Sequence, residues 1–404
     1  MTYLEDTLAH GLARHKSGQL AEARTVYEAL LSHSHNVRIN GIALSRLADL
    51  HMREARLGEA REAAHRAIRL DKNNGSALLK AAQIERTAGN AEGGIKLITS
   101  RSTHQLPPLL IEELGLCWQA TGEYRKAFLC FKEAKRRISF TDLDVDRHIL
   151  TRYMETLAKR FSGPERIPWT ATPPMANPSP VFLIGFNESG LSELGQMLDL
   201  HPGFSLAPEV PAMDSARQTL GSKDPEHLHT LAPAEIENAR ASYFKAMEEW
   251  ASPGTIIVDA LPFNGLALAL IHRLFPESII LRCVRHPCEA VLRTFCKTYA
   301  FNAITCHFDR LERTATAIMA TTAVSRQIED ALGMQVHSIR IEDFLAEPQA
   351  TVSAIAQGVG LDPEFTIPTP PMSPVDLWPH YRAEMSRWLP SLFEMADQLG
   401  YPEK

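Results

Sequence analysis

No two of the six cysteines (Cys117, Cys130, Cys283, Cys288, Cys296 and Cys306) stand in a CxxC pair. Four of them fall between 283 and 306, with His286 and His307 nearby, but the spacing matches no standard zinc module. The sequence therefore reads as one of reduced, buried thiols without a metal. Long apolar runs are missing too. The stretch 256–275 is broken by Asp259, Pro262, Asn264 and Arg273, which excludes it as a membrane-spanning helix. The opening residues, MTYLEDTLAHGL, lack a basic segment followed by an apolar core, so no secretory leader is read there. Aromatic residues are sparse at 7%, against 45% hydrophobic residues overall. That balance is ordinary for a globular chain with enough apolar content for a core, and together with the missing leader and membrane span it sets the expectation of a cytoplasmic protein. At 404 residues it is long enough for two or three domains.

The net charge of −6 hides an asymmetry. Residues 1–138 hold 21 Lys/Arg and 15 Asp/Glu, an excess of +6, whereas the remainder holds 21 and 33, or −12. A basic first part steers acidic partners or is simply a solvated surface. The acidic remainder carries no nucleic-acid recognition motif, so nucleic acid is not an expected partner.

The first part repeats. Units that start at Leu4, Gly41, Gly75 and Pro108 are offset by 37, 34 and 33 residues. Their eighth positions read Gly11, Ala48, Ala82, Gly115; their fifteenth, Gly18, Ala55, Gly89, Gly122; their twentieth, Ala23, Ala60, Gly94, Ala127; their twenty-fourth, Tyr27, Ala64, Ile98, Phe131. The pattern resembles the tetratricopeptide repeat, a helical hairpin. In that family small residues at positions eight and twenty let the helices approach, and the large residue at twenty-four fills the gap between units. The second unit departs at fifteen and twenty-four. Four units clear the roughly three that an array needs. Such arrays present a concave face to peptides or proteins, so a protein or peptide partner is expected; dimerisation is another use, and the oligomeric state is not legible. The reading is a repeat array over 1–138, a linker helix and Pro-rich junction over 139–178, and a second domain over 179–404. Thr141 with Asp144 resembles a helix capping box, and 141–161 reads as a helix.

The second domain offers four strand candidates: 181–186, 255–260, 278–284 and 336–341. They are mostly continuous apolar runs separated by helical stretches, which suggests a parallel sheet covered on both faces. The predicted fold class is thus an all-α repeat array followed by a three-layer α/β domain. The segments PVFLIGFNESGLSELGQMLDLHPGFSLAPEV, LPFNGLALALIHRLFPESIILRCVRHPCEAVLRTF and IRIEDFLAEPQATVSAIAQGVGL resemble motif blocks of the sulfotransferase domain that bacteria fuse to tetratricopeptide repeats. The resemblance spans most of 179–404. It implies transfer of a sulfuryl group from PAPS (3′-phosphoadenosine 5′-phosphosulfate), the co-substrate, to an acceptor hydroxyl through a loose transition state, by analogy with phosphoryl transfer. The protein then positions groups and neutralises charge.

The family's donor loop reads roughly Pro-Arg-Ser-Gly-Thr-Thr/Ser after the first strand. Here Ser189, Gly190 and Ser192 match, with Leu191 in place of a hydroxyl and Glu188 in place of the Arg. The resemblance assigns the backbone of Ser189, Gly190, Leu191 and Ser192 to the donor, at a helix N-terminus. The Lys that the family places after its second strand is Ala260 here. Arg285, in Arg285-His286-Pro287, matches the family's 3′-phosphate arginine. The Ser expected eight residues on is Arg293, which still suits a phosphate. Glu209 falls where relatives carry the base that deprotonates the acceptor. A late basic stretch is rearranged as Trp378, His380, Tyr381, Arg382. Three readings stay open. One is a divergent PAPS-dependent sulfotransferase whose protein acceptor the repeats recruit, with Arg282 or Arg382 as replacement cations. Another is an inactive scaffold, and a third is a domain that takes a different anionic ligand.

Overall fold

A computed structural model of the chain describes residues 3–16, 19–72, 74–100, 106–138, 145–163, 172–175, 178–221, 225–368 and 376–402. The chain divides into two compact units, Met1–Asp144 with Cys296–Phe301, and Val145–Phe295 with Asn302–Lys404.

The first unit is built from α1 (Tyr3–Lys16), α2 (Leu20–His33), α3 (Val37–Arg53), α4 (Leu57–Leu70), α5 (Gly75–Thr87), α6 (Ala91–Thr99), α7 (Pro108–Ala120) and α8 (Tyr124–Ile138). Consecutive helices pack as hairpins, α1 on α2 through α7 on α8. The small residues have a visible cause. A Cβ on Gly11 would lie 2.9 Å from the ring of Tyr27, and one on Gly115 would lie 2.6 Å from Phe131. The large residue at position twenty-four therefore lies over position eight of its own hairpin. It also reaches the next unit, since Tyr27 shares a core cluster with Ala43 and Leu47. Position fifteen explains the glycines there: Gly89 and Gly122 close their hairpins with φ near +80°. Ala55 takes the same left-handed turn at +57°, which an L residue does at a cost of about 1–2 kcal/mol. Ala55→Gly is expected to raise the stability of the unit by about 0.5–1 kcal/mol, net of the entropy glycine adds to the unfolded chain. Urea denaturation of the two proteins measures the difference. Gly18 and the Thr141–Asp144 pair lie outside the described residues.

The second unit opens with α9 (Ile149–Arg160), shorter than the helix read from sequence. It then runs β1 (Val181–Ile184), α10 (Leu191–Asp199), β2 (Phe204–Pro208), α11 (Ala212–Thr219), α12 (Pro233–Met247), β3 (Ile256–Ala260), α13 (Leu268–Leu274), β4 (Ile280–Val284), α14 (Pro287–Cys296), α15 (Leu311–Leu332), β5 (Val336–Arg340), α16 (Ile341–Ala346), α17 (Pro348–Gly358), α18 (Arg382–Met385) and α19 (Leu389–Gln398). The sheet is parallel throughout, in the order β2-β3-β1-β4-β5. The β2 strand adds to the four strand candidates. It is short, ends in Pro208 and forms an edge, where a proline does not interrupt a ladder on both sides.

Alternation along β1 divides the core into two layers. Phe182 and Ile184 pack with Tyr243 of α12, Ile271 of α13 and Ile328 of α15. Val181 and Leu183 pack with Leu191 and Leu194 of α10 and Ile355 of α17. The connection leaving β1 runs toward β2 on one side, and that leaving β4 runs toward β5 on the other. Connections therefore diverge at the β1/β4 seam, the place where open parallel sheets bind ligands outside their carboxyl ends.

Candidate functional site

Because the strands are parallel, the loops after β1, β2, β3 and β4 leave from one edge of the sheet. Three of these loops hold a non-glycine residue at positive φ: Glu188 at +63°, Glu209 at +56° and Phe263 at +75°. Such backbone costs on the order of 1–3 kcal/mol and tends to collect at functional sites.

The β1–α10 loop is tightly built. A Cβ on Gly185 would sit 2.5 Å from Ser189 Oγ and 2.7 Å from the Cys283 carbonyl. Gly190 has φ +106°, and a Cβ there would meet Ile341 at 2.5 Å. Gly190 also caps α10 without a side-chain acceptor, leaving the first-turn N–H groups to solvent or a ligand. The Ser189 N–H is not one of them, since it donates to the Phe186 carbonyl at 3.2 Å. The Leu191 side chain is core, so that residue has only its amide to offer, whereas the Ser192 side chain is exposed. The Ser189 hydroxyl differs: it is 3% exposed and has no hydrogen-bond partner among the described residues.

Neighbours fasten the loop from outside. Thr294 Oγ1 donates to the Asn187 carbonyl at 3.1 Å, and the Phe263 N–H donates to the Gly185 carbonyl at 3.2 Å. Arg285, 5% exposed, donates from Nε to the Glu188 carbonyl at 2.6 Å and reaches Glu193 Oε1 from Nη2 at 3.4 Å. The turn carrying Arg285 is itself held. Its His286 N–H donates to Glu342 at 3.1 Å, Tyr401 donates to the same carboxylate at 2.7 Å, and the His286 ring stacks on Trp378 at 5.4 Å. Burial and the Glu342 charge push the Tyr401 phenol up, so it remains a donor.

A cleft that opens to solvent lies at the β1/β4 seam and is lined by Ser189, Arg282, Arg285, Thr321 and Ser325 among others. The structure thus brings together two of the predicted donor residues, Ser189 and Arg285. Arg293 does not join them in the lining. Its Nε donates to Glu289 at 2.5 Å, and that buried carboxylate also accepts the N–H groups of Leu377 and Trp378. Glu209 is exposed at the end of β2, which β3 separates from β1. The Glu209 N–H donates to the Ala260 carbonyl at 3.1 Å. Ala260, where the family pattern places a lysine, is 5% exposed in the core. Arg382 lies over the rings of Trp378 and Phe393.

Sequence reasoning passes over Asp259 as a functional group. It is fully buried at the end of β3 and accepts from Tyr243 at 3.1 Å and Asn264 at 2.9 Å. Burial raises its carboxyl to about 7, against the two hydrogen bonds that favour the ionised form. Its one sign in the sequence is a polar residue inside an apolar run. Burial raises the Cys283 and Cys288 thiols to about 12, which keeps both protonated and poorly nucleophilic. Among the described residues no metal-ligating cluster occurs, and no helix is long and apolar enough to cross a membrane.

Comparison with known families decides the class of this unit. Residues 180–365 match a model described as the sulfotransferase family. They form a sulfotransferase family domain. Among solved structures, a sulfotransferase from Alicyclobacillus acidocaldarius is 17% identical, with 57% of this chain and 98% of that chain covered and a TM-score of 0.39. No curated protein matches the chain. The sulfotransferase domain spans β1 to α17, and within it lie the donor-like loop, Arg285 and the cleft between them.

Proposed function

We propose that this is a divergent sulfotransferase that takes PAPS at the β1/β4 seam and sulfates a hydroxyl on a protein acceptor recruited by the first unit, read as four tetratricopeptide repeats. The observation that carries the reading is Ser189. Its hydroxyl is buried, without a protein partner among the described residues, beside Arg285 in a cleft at the switch point of the sheet. Buried polar groups are nearly always satisfied, so a ligand acceptor is the natural complement. PAPS would supply an activated sulfuryl group. The acceptor oxygen attacks sulfur, the bond to the phosphate oxygen breaks, and PAP (3′-phosphoadenosine 5′-phosphate) leaves. Glu209 takes the acceptor proton. Ser189, the first-turn amides of α10 and Arg285 bind the donor's anionic groups.

An inactive scaffold is the second reading, and Glu188 with Ala260 favours it: both positions lack the cation that the family pattern places there. Calorimetric titration with PAP separates the two. The unmodified protein is expected to bind, and Ser189→Ala to bind about tenfold more weakly, the worth of one hydrogen bond to a charged group. The same variant should melt no lower than the parent, because the lost hydroxyl makes no bond within the described protein. Absence of PAP binding by the unmodified chain would leave the scaffold reading standing.

A further inference from the structure

The cleft contains a second arginine with donors to spare. Arg282, in the middle of β4, is 6% exposed and projects on the α15 side of the sheet. Both its contacts use Nη2, which donates to Ser325 Oγ at 3.1 Å and pairs with Glu329 Oε2 at 2.8 Å. A guanidinium has five N–H donors. Among the described residues no acceptor meets Nε or Nη1 of Arg282, and the residue lines the same cleft as Ser189 and Arg285. Two buried side chains, Arg282 and Ser189, therefore bring unused donors to one space. An acceptor-rich anion satisfies both.

Resting on the sulfotransferase reading above, we infer that Arg282 is a donor-binding residue, supplying from β4 the positive charge that positions 188 and 260 lack. Glu329 is the counterweight. It is 19% exposed and its Oε2 lies 2.8 Å from Arg282 Nη2, a close ion pair without hydrogen-bond geometry, while Ser325 supplies the hydrogen bond to that nitrogen. This arrangement pre-organises the cation while reducing its net charge toward a ligand. Of the charged groups in and around this cleft, Arg282 faces Glu329 and Arg285 faces Glu193, so each cation is partly balanced. An incoming anion gains from both cations and is opposed by both carboxylates.

A donor-binding role and a structural ion pair predict different signs. If Arg282 and Glu329 only stabilise the fold, removing either charge lowers the melting temperature and leaves ligand affinity alone. If Arg282 binds the donor, Arg282→Gln weakens PAP binding and Glu329→Gln strengthens it. The experiment is titration of the full chain and both variants with PAP and with adenosine, which shares the base and ribose but has no phosphate, at low and high salt. Melting curves run alongside. We expect at least a tenfold loss for Arg282→Gln, a severalfold gain for Glu329→Gln, both reduced at high salt, and no change for adenosine. PAP binding by the unmodified protein with equal affinity in both variants overturns the role of Arg282 and leaves the sulfotransferase reading intact. Failure of the unmodified protein to bind PAP overturns both. Should Arg282→Gln not fold, Glu329→Gln decides alone, because it keeps the arginine.

Discussion

Asp259→Asn is expected to gain stability over the parent as pH rises from 4 to 8. The carboxyl lies fully buried and keeps its proton in the folded state up to about 7, whereas the unfolded chain releases it near 3.8. Between those values the folded state binds more protons than the unfolded one, so unfolding free energy falls with rising pH, and above about 7 the loss is complete. Asparagine removes this dependence without breaking the local bonds. Its oxygen accepts from Asn264, and its amide donates to the Tyr243 hydroxyl, which accepts as readily as it donates. The difference in unfolding free energy between variant and parent should therefore move in the variant's favour by a few kcal/mol from pH 4 to pH 8, since each pH unit between the two values contributes about 1.4 kcal/mol. Taking the difference cancels the opposite contribution of histidines such as His15 and His272, whose lowered values favour folding as pH rises. Urea titrations at several pH values measure it. A constant difference across the range would mean that Asp259 is ionised throughout and that its two hydrogen bonds outweigh its burial.

The legible parts of this chain are those that local chemistry determines. The apolar runs of β1, β3 and β4 announce buried parallel strands because both their faces are covered. Position fifteen of the repeats is readable because a left-handed turn selects glycine, and the one alanine there takes the same turn. Where the reading falls short, the deciding partner lies far along the chain. Arg285 is named by its motif, but its contacts with the Glu188 carbonyl and Glu193 come from the β1–α10 loop and the first turn of α10, more than ninety residues earlier in sequence. Arg293 is placed with Arg285 by spacing alone. Two helical turns beyond Arg285 it meets Glu289, whose other oxygen is occupied by the backbone at 377–378. Asp259 looks like an interruption because nothing in the sequence ties it to Tyr243 on α12. Arg282 reads from sequence as a replacement cation without a position. Its projection toward α15 follows from two-residue alternation with Ile280, whose side chain shares the core layer of Ile328.

Glu188→Arg should tighten PAP binding by about two orders of magnitude. The backbone asks little of this substitution. Glu188 already holds φ at +63°, a strain that any non-glycine side chain shares, so arginine adds little backbone cost. The contact that fastens Arg285 to this residue uses the backbone carbonyl, which the substitution leaves in place. What changes is charge at a half-buried position beside a proposed polyanion site: one repulsion is removed and one attraction is added. Each is on the order of a kcal/mol or more at the effective dielectric of a partly exposed site, and each 1.4 kcal/mol is tenfold in affinity. Glu188→Gln removes only the repulsion and should fall midway. The companion change at Ala260 is a poorer probe. That residue is packed against Val181, Leu183 and Val258, and a lysine there overfills the core at roughly 1–3 kcal/mol. A graded series, Glu then Gln then Arg, compressed at high salt, would establish that an anion approaches this loop and that residue 188 limits its affinity. Equal affinities across the series would mean that the ligand's charge lies elsewhere along the cleft, and the loop would then owe its shape to the fold alone.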